Sequence, residues 1–404
     1  MSDEAPKNSP PKAGPSSSLE RLAFIEGMRG LAAMYVVFFH VVVIYYAQFQ
    51  GWMRPGFVWM THGHWAVNVF IVLSGFCLTL PLARSRSLML EGGFGRYMTR
   101  RAVRILPPYY AAVVLSLLAL VLSADAWRWV RGMPVVHPGW ASEFSKGNLI
   151  SHVLLVHNFT RWANALDGPM WSVATEFQIY FFFPLLLLPV LRKFGRTACV
   201  LAGVVVGLLP VWLFSLNSQA AAAPWYLGLF AMGMVAADIG FSVKAPFESL
   251  YLPAAILAAS AAVLLGCRYG EAGWWTIPED TLIGAATACC LVWSTRSENR
   301  RKMPVRWLEM KLPVWLGTFS YSIYLMHMPI IWKARIFTDR LHLSPLRDFV
   351  LNIGFVVPIA VGGSMIFHVF FERPFLRRKQ TLLRVAVEHR SIEPDPRAVL
   401  GIGP

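Results

Sequence analysis

The chain has 404 residues, of which 56% are hydrophobic, 14% aromatic and 15% charged. Soluble proteins carry roughly 25% charged residues, so this composition excludes a soluble or disordered protein and indicates a membrane-embedded one. The 37 Lys and Arg residues exceed the 22 Asp and Glu residues and give a formal net charge of +15, whose placement along the chain decides what it means.

Ten stretches approach the roughly 17 to 25 apolar residues that cross a bilayer as a helix. They are Leu31–Phe49, Trp65–Ala83, Ile105–Ala124, Val173–Leu191, Thr197–Leu216, Ala221–Ala237, Ser249–Cys267, Thr281–Thr295, Leu312–Trp332 and Phe349–Phe371. A further apolar piece, Leu149–Phe159, is too short to cross and carries His152 and His157, so we expect it to be interfacial or re-entrant. The pattern predicts an all-α, polytopic integral membrane protein with about ten transmembrane helices.

Basic residues cluster between the predicted spans on one side of the membrane. The clusters are Arg84, Arg86, Arg96, Arg100, Arg101 and Arg104 before the third span, Arg192, Lys193 and Arg196 after the fourth, and Arg296, Arg300, Arg301, Lys302, Arg306 and Lys311 before the ninth. The positive-inside rule then predicts that both termini are cytoplasmic. Most of the positive charge is thereby assigned to topology and to anionic lipid, not to nucleic acid.

This topology divides the chain into three parts. We expect a disordered cytoplasmic tail at residues 1–20, a membrane domain at 21–375 and a basic cytoplasmic tail at 376–404. All five cysteines lie within apolar spans and none forms a C-x-x-C pair, so we predict packing residues and no metal site.

One predicted span carries a charge. Nine of the ten contain no Asp, Glu, Lys or Arg, whereas the fourth contains Glu176. A charge in hydrocarbon costs roughly 2.5 to 3.5 kcal/mol on insertion scales, so Glu176 must face the bundle interior or a wet cavity. On a helix Ser172, Glu176 and Tyr180 share one face. Two interpretations stay open: a functional carboxyl reached from the outer side, and a structural carboxyl that is paired or protonated.

The first span places a cation and an imidazole on one helix face. Arg29 precedes His40 by eleven residues, about three turns or ~16 Å. A cation near the cytoplasmic mouth and a histidine deeper in the membrane suit an anionic donor that enters from the cytosol with its reactive end inward. Histidine is the side chain best able to take and return a proton near neutral pH. The alternative for His40 is a hydrogen-bonded packing residue.

Two other features have both a functional and a structural interpretation. The Ser74-Gly75 pair in the second span lets either a neighbouring helix or a slender ligand approach the backbone closely. Arg101 and Arg104 are i, i+3 neighbours whose guanidinium groups can meet one polyphosphate, although topological charges would look the same.

The last two spans add a polar stripe and a helix end. The ninth span has no charged residue but carries three polar aromatic side chains, Tyr321, Tyr324 and His327. Tyr324 and His327 are one turn apart. His368 and Glu372, at the end of the tenth span, are interpreted as an interfacial anchor and a helix stop.

Taken together, these residues resemble the membrane acyltransferase-3 family, the ten-helix O-acyltransferases of cell-surface and secreted glycans. Five motifs carry the resemblance: Met28-Arg29-Gly30 through His40, Phe70 through Ser74-Gly75-Phe76, Arg101-x-x-Arg104, Trp171-Ser172 through Glu176 and Tyr180, and Ser320 through His327. The resemblance implies transfer of an acyl group, most often acetyl, from cytosolic acyl-CoA to a hydroxyl of an extracytoplasmic carbohydrate such as a lipopolysaccharide or exopolysaccharide.

The resemblance also implies roles for individual residues. His40 is the expected catalytic histidine, acting as a general base or as a covalent carrier of the acyl group, and Glu176 is a second catalytic candidate. Arg29, Arg101 and Arg104 are expected to bind acyl-CoA. The expected substrate-binding residues are Ser74, Trp171, Tyr180, Tyr321, Tyr324 and His327.

The chain departs from the family pattern in two respects. Asn68 stands where the resemblance leads us to expect a carboxylate in many relatives. We also expect no extracytoplasmic hydrolase-like domain after the spans, and therefore direct delivery to the acceptor or a separate partner protein. The location implied is a bacterial inner membrane. The alternatives are a transporter or flippase that uses buried His and Glu as a proton relay, and an acyltransferase acting on a non-sugar acceptor.

Overall fold

The computed structural model describes residues 22–51, 53–123, 128, 131–133, 143–214, 222–242, 247–270, 273–296 and 298–376. Within these ranges the regular elements are all helices. The predicted N-terminal tail, and the C-terminal tail apart from Leu376, lie outside the described residues.

Fifteen helices are numbered in chain order along these ranges. They are α1 (Ala23–Tyr46), α2 (Met53–Phe57), α3 (His64–Ser85), α4 (Gly93–Val121), α5 (Lys146–Val153), α6 (Met170–Phe182), α7 (Leu188–Leu213), α8 (Tyr226–Gly240), α9 (Tyr251–Tyr269), α10 (Thr276–Thr295), α11 (Met303–Leu308), α12 (Lys311–Thr318), α13 (Ser320–Thr338), α14 (Pro345–Leu351) and α15 (Val357–Phe367). Single π-helical turns join α6 to α7 and α14 to α15, and a third follows α15.

Six helical segments of the described chain are long and apolar enough to cross a membrane. They are Ala23–Tyr46, Met53–Ser85, Gly93–Val121, Met170–Leu213, Glu248–Tyr269 and Pro345–Leu376. The segment Met170–Leu213 has a non-helical residue at Gly195 (φ 87°, ψ −173°), between the predicted fourth and fifth spans. The protein is therefore a multi-pass helical membrane protein, while the number of ten spans and the orientation of the termini stay predictions.

Two differences between the predicted spans and the helices bear on the polar side chains. The predicted ninth span is not one helix: α12 ends at Thr318 and α13 begins at Ser320, because Phe319 between them leaves helical geometry (φ −130°, ψ 24°). The helix predicted from Thr281 begins five residues earlier, at Thr276, so α10 contains Glu279 and Asp280. The helix that contains the predicted eighth span thus has two carboxyl groups in its first turns, before the charge-free stretch.

The short apolar piece between the third and fourth predicted spans forms α5 and a 3-10 turn, His157–Phe159. Both of its histidines, His152 and His157, are fully buried. His152 and His157 stack on each other with ring centroids 3.9 Å apart, and Tyr109 of α4 stacks on His157 at 6.4 Å. The piece therefore packs against α4 through its histidines.

Helices α3 and α8 pack backbone to backbone through two glycines. A Cβ on Gly75 of α3 would lie 2.1 Å from the carbonyl oxygen of Phe230, and a Cβ on Gly233 of α8 would lie 2.0 Å from that of Val72. Of the small-residue pair Ser74-Gly75, the glycine therefore forms the contact between the two helices. This contact fixes the depth at which Ser74 faces the interior.

We expect the substitution Gly75→Ala to destabilise the protein by about 1 to 3 kcal/mol, because α3 and α8 must separate to admit the methyl group. The measurement is the thermal unfolding of the purified protein in detergent. Gly362→Ala is the matched control, since a Cβ on that helical glycine meets no described atom within 4 Å. Equal melting temperatures for the two variants would contradict the close contact.

Candidate active site

The first polar cluster inside the bundle centres on Glu176 of α6. Its carboxylate accepts hydrogen bonds from the hydroxyls of Ser74, on α3, and Tyr180, one turn further along α6, the latter at 2.5 Å. Arg29 of α1 and Arg101 of α4 complete what we call the Arg–Glu cluster. Three predicted site residues from α3 and α6 are thus brought together by one carboxyl group.

Arg29 faces this carboxyl group from α1. Its guanidinium lies 3.5 Å from the Glu26 carboxylate and 3.5 Å from the Cys77 sulfur, and it is close enough to Glu176 and Tyr180 to interact with them electrostatically. The contact with Glu26 is long for an N–H···O hydrogen bond, which optimally spans 2.7 to 3.2 Å. The guanidinium therefore keeps donors available for an anionic ligand.

The two arginines of the R-x-x-R pair have different surroundings. Arg101 is half-buried, its guanidinium lies 6.0 Å from the Tyr97 ring centroid, and Tyr180 is within electrostatic range. The Nε of Arg101 is buried and has no hydrogen-bond partner in the described part of the chain. Arg104 is exposed. The structure therefore brings Arg101 into the Arg–Glu cluster and leaves Arg104 at the surface.

The second polar cluster is a pair of histidines, which we call the histidine pair. His40 of α1 and His327 of α13 have ring centroids 5.1 Å apart. His327 is fully buried, and its Nδ1 lies 3.0 Å from the carbonyl oxygen of Ile323. This hydrogen bond places the proton on Nδ1 and leaves Nε2 as an acceptor, which has no partner among the described residues.

Tyr324 links the histidine pair to α6. Its hydroxyl lies 2.6 Å from the Ser172 hydroxyl and donates to the carbonyl oxygen of Pro169 at 3.0 Å. Its ring centroid is 6.0 Å from that of His327. Of the polar face predicted on α6, Ser172 therefore belongs with the histidine pair, whereas Glu176 and Tyr180 belong to the Arg–Glu cluster.

The other predicted substrate residues have structural contacts. The Tyr321 hydroxyl donates to the carbonyl oxygen of Ile105 at 3.1 Å, joining α13 to α4. Trp171 is half-buried and its ring lies 6.1 Å from that of Tyr226, at the contact of α6 with α8. These contacts join helices to each other, so the assignment of both residues to a substrate stays a prediction.

Glu372, interpreted from the sequence as part of a helix stop, is instead buried. Ser322 of α13 donates to its carboxylate at 2.5 Å, and Nδ1 of His368 lies 2.8 Å away. Glu372 is therefore a buried partner of Ser322 and His368, while the interpretation as an interfacial anchor stays a prediction. Both side chains lie in the π-helical turn His368–Glu372.

A third buried cluster, around Glu279 and Asp280 of α10, was not predicted. His64 of α3 lies 3.4 Å from both carboxylates, and Trp65 donates to Glu279. The signal was present, because the two acids directly precede the apolar run from Thr281, but the helix boundary was predicted after them.

The contacts of Asn68 suit an amide at this position, where the family resemblance leads us to expect a carboxylate. Its amide donates to Asp280 at 2.6 Å, and the Trp225 indole donates to the other oxygen of that carboxylate at 2.8 Å. A carboxylate at position 68 would face Asp280 as a like charge. The amide instead supplies the hydrogen that Asp280 accepts.

The fold and these clusters define a multi-pass membrane protein with titratable and cationic side chains inside the helix bundle. None of the described His, Cys, Asp and Glu residues form a group of three that could hold a metal ion. The chain belongs to the acyltransferase-3 family, whose acyltransferase domain matches residues 22–369.

Three bacterial relatives illustrate the similarity. BcsY of Komagataeibacter xylinus, named as a putative membrane-bound transacylase, is 26% identical over 77% of this chain and 73% of its own length. The peptidoglycan O-acetyltransferase OatA of Listeria monocytogenes is 27% identical over 46% of this chain, and the Bacillus subtilis protein YrhL, named for the same activity, is 27% identical over 45%. The match spans only 27% of OatA and of YrhL. No solved structure matches the chain.

Proposed function

We propose that this membrane O-acyltransferase moves an acyl group, acetyl in the first instance, from acyl-CoA to a hydroxyl of a carbohydrate. The relatives named as peptidoglycan O-acetyltransferases support a glycan acceptor. One observation carries the proposal: α1 places Arg29 in the Arg–Glu cluster and His40 in the histidine pair, about three helical turns apart. A single elongated donor can therefore meet both.

The donor end of this path is cationic. Acyl-CoA has phosphate groups for Arg29 and Arg101 and a thin pantetheine arm that bridges the ~16 Å to His40 along α1. Glu176 offsets the charge of Arg29 in the absence of donor and is itself held by Ser74 and Tyr180. We assign this end to the cytoplasmic side of a bacterial inner membrane, as the basic clusters favour.

At the other end the histidine pair supplies acid–base chemistry. The acceptor hydroxyl gives its proton to a His40 nitrogen as its oxygen attacks the thioester carbonyl carbon. The carbon–sulfur bond then breaks, and the imidazolium returns the proton to the leaving thiolate, so the products are an O-acyl ester and CoA thiol. The His327 ring packs beside the His40 ring and orients it, while Nε2 of His327 stays an acceptor with no partner in the described part of the chain.

Family membership favours the enzyme over the transporter. A non-sugar acceptor is the alternative within the same class, and an extracytoplasmic partner protein that receives the acyl group is compatible with the same donor site. In both alternatives Arg29 and Arg101 still bind the acyl-CoA donor. The first test therefore concerns donor binding.

We expect Arg101→Ala to raise the KM for acetyl-CoA about 10- to 100-fold, the equivalent of a charge-assisted hydrogen bond worth ~1.5 to 3 kcal/mol. Arg104→Ala is the matched control and should change that KM less than about threefold, because Arg104 is exposed. The measurement is the initial rate of transfer of labelled acetyl from acetyl-CoA to chitotetraose, with either substrate varied.

The KM for chitotetraose should stay within about twofold of wild type in both variants. Equal effects of the two substitutions on the donor KM, or equal effects on donor and acceptor, would show that Arg101 is a topological charge.

A further inference from the structure

Asp167 lies in the turn before α6 and has no role in the mechanism above. It is 3% exposed, and neither of its carboxyl oxygens has a hydrogen-bond partner among the residues that the structure describes. A buried polar group left unsatisfied costs about 1 to 3 kcal/mol, more for a charged one. Each such group in a native structure therefore calls for an explanation, such as a ligand, an ion or an ordered water.

The backbone around Asp167 is strained. Leu166 has a φ of 62°, in the left-handed region that residues with a Cβ rarely adopt. Its N–H donates to the Glu143 carboxylate at 2.7 Å, and the N–H of Asp167 donates to the carbonyl oxygen of Ala165 at 2.7 Å. Strain of this kind persists where the surroundings impose it, and it concentrates at functional sites.

Asp167 borders the histidine pair through Tyr324. The Tyr324 hydroxyl is bonded to the carbonyl of Pro169, two residues after Asp167, and both Tyr324 and Tyr109 are within electrostatic range of the Asp167 carboxyl group. Tyr324 in turn neighbours His327, which neighbours His40. Asp167 therefore lies near the histidine pair, to which Ser172 also belongs, whereas Glu176 belongs to the Arg–Glu cluster.

The chemistry of the carboxyl group limits its ligand. Burial raises the pKa of Asp167 well above its ordinary value. A carboxylate here lacks hydrogen-bond donors, and a protonated carboxyl group lacks an acceptor for its O–H, within the described part of the chain. Alcohol hydroxyls satisfy both forms because they donate and accept.

We propose that Asp167 is an acceptor-binding residue: its carboxyl group hydrogen-bonds a hydroxyl of the polyhydroxylated acceptor, next to the hydroxyl that is acylated. This contact turns the reacting hydroxyl toward His40. The assignment rests on the proposed function and adds to it a specific acceptor contact, which the five motifs do not include.

The test compares Asp167→Ala and Asp167→Asn with wild type, using labelled acetyl-CoA and chitotetraose, cellotetraose or glycerol. We expect Asp167→Ala to lower kcat/KM for the two saccharides at least about tenfold, the equivalent of one lost hydrogen bond. Asp167→Asn should lose less, because it keeps a group able to accept and donate. The KM for acetyl-CoA should stay within about twofold.

Thermal unfolding separates binding from a structural role. Because the Asp167 carboxyl group makes no hydrogen bond to another described residue, both variants should melt at or above the wild-type temperature. Asp348→Asn is the matched contrast: Asp348 accepts hydrogen bonds from Tyr45 at 2.7 Å and from the Asn352 side chain at 3.2 Å, so that variant should melt lower.

Unchanged saccharide kinetics in both Asp167 variants would overturn the assignment, as would a lowered melting temperature with equal losses toward donor and acceptor. The wild-type arm reports separately on the proposed function. If wild-type protein transfers acetyl to no hydroxyl in the panel, the proposed function fails and the assignment fails with it. If wild type is active and the variants match it, only the assignment fails.

Discussion

Replacing His40 with alanine is expected to reduce acetyl transfer at least ~100-fold, the lower end of what a positioned general base contributes. The substitution removes the one imidazole on α1 and leaves Arg29, three turns away, in place. Binding of acetyl-CoA, measured by the rise in melting temperature that it causes, should therefore change little. The readout is the initial rate with labelled acetyl-CoA and chitotetraose in detergent.

Two further histidine variants sharpen this experiment. His342→Ala removes an exposed histidine and should leave the rate unchanged. His327→Ala should slow transfer less than His40→Ala, about tenfold, if His327 only orients the His40 ring. A His40→Ala protein that transfers acetyl at the wild-type rate would refute the role of His40, and a reversed order of the two effects would make His327 the base.

Glu176→Ala is expected to have the second-largest effect, on stability as well as on activity. The hydroxyls of Ser74 and Tyr180 lose their shared acceptor, and the guanidinium of Arg29 loses a compensating carboxylate. A hydrogen bond to a charged group is worth about 1.5 to 3 kcal/mol, so we expect a loss of about that size and a clearly lower melting temperature.

Glu176→Gln distinguishes the hydrogen bonds from the charge. Glutamine keeps an acceptor oxygen, so its melting temperature should lie between those of Glu176→Ala and wild type. Glu91→Ala, at an exposed position, is the control. If Glu176→Ala melts like Glu91→Ala, Glu176 does not hold the Arg–Glu cluster together.

Apolar length predicted the helical membrane class because the cost of exposing polar backbone to lipid leaves few other solutions. Residue periodicity likewise placed Glu176 beside Tyr180, which is a local helical relation. The pairing of His40 with His327 could not be predicted from either span alone, since it depends on how α1 packs against α13. The partner of Asn68 lies 212 residues away and could not be predicted for the same reason.

Other differences came from local geometry that apolar runs do not report. The predicted ninth span breaks at Phe319 although no proline or charge marks the position. Glu372 lies in a π-helical turn and is buried, which the adjacent apolar run does not report. Arg101 and Arg104 differ in exposure although i, i+3 neighbours on a helix lie only about 60° apart, because Arg101 packs near Tyr97 and Tyr180 while Arg104 stays exposed.

The two acids at the start of α10 bear on how the protein is assembled during synthesis. This helix presents Glu279 and Asp280 to the insertion machinery, yet the groups that receive them, Trp65 and Asn68, left the ribosome 214 and 212 residues earlier. Lipid alone is a poor environment for both carboxyls. We therefore expect α10 to enter the bilayer against an α3 that is already inserted. In that order of insertion, α3 supplies the polar partners that α10 needs inside the membrane.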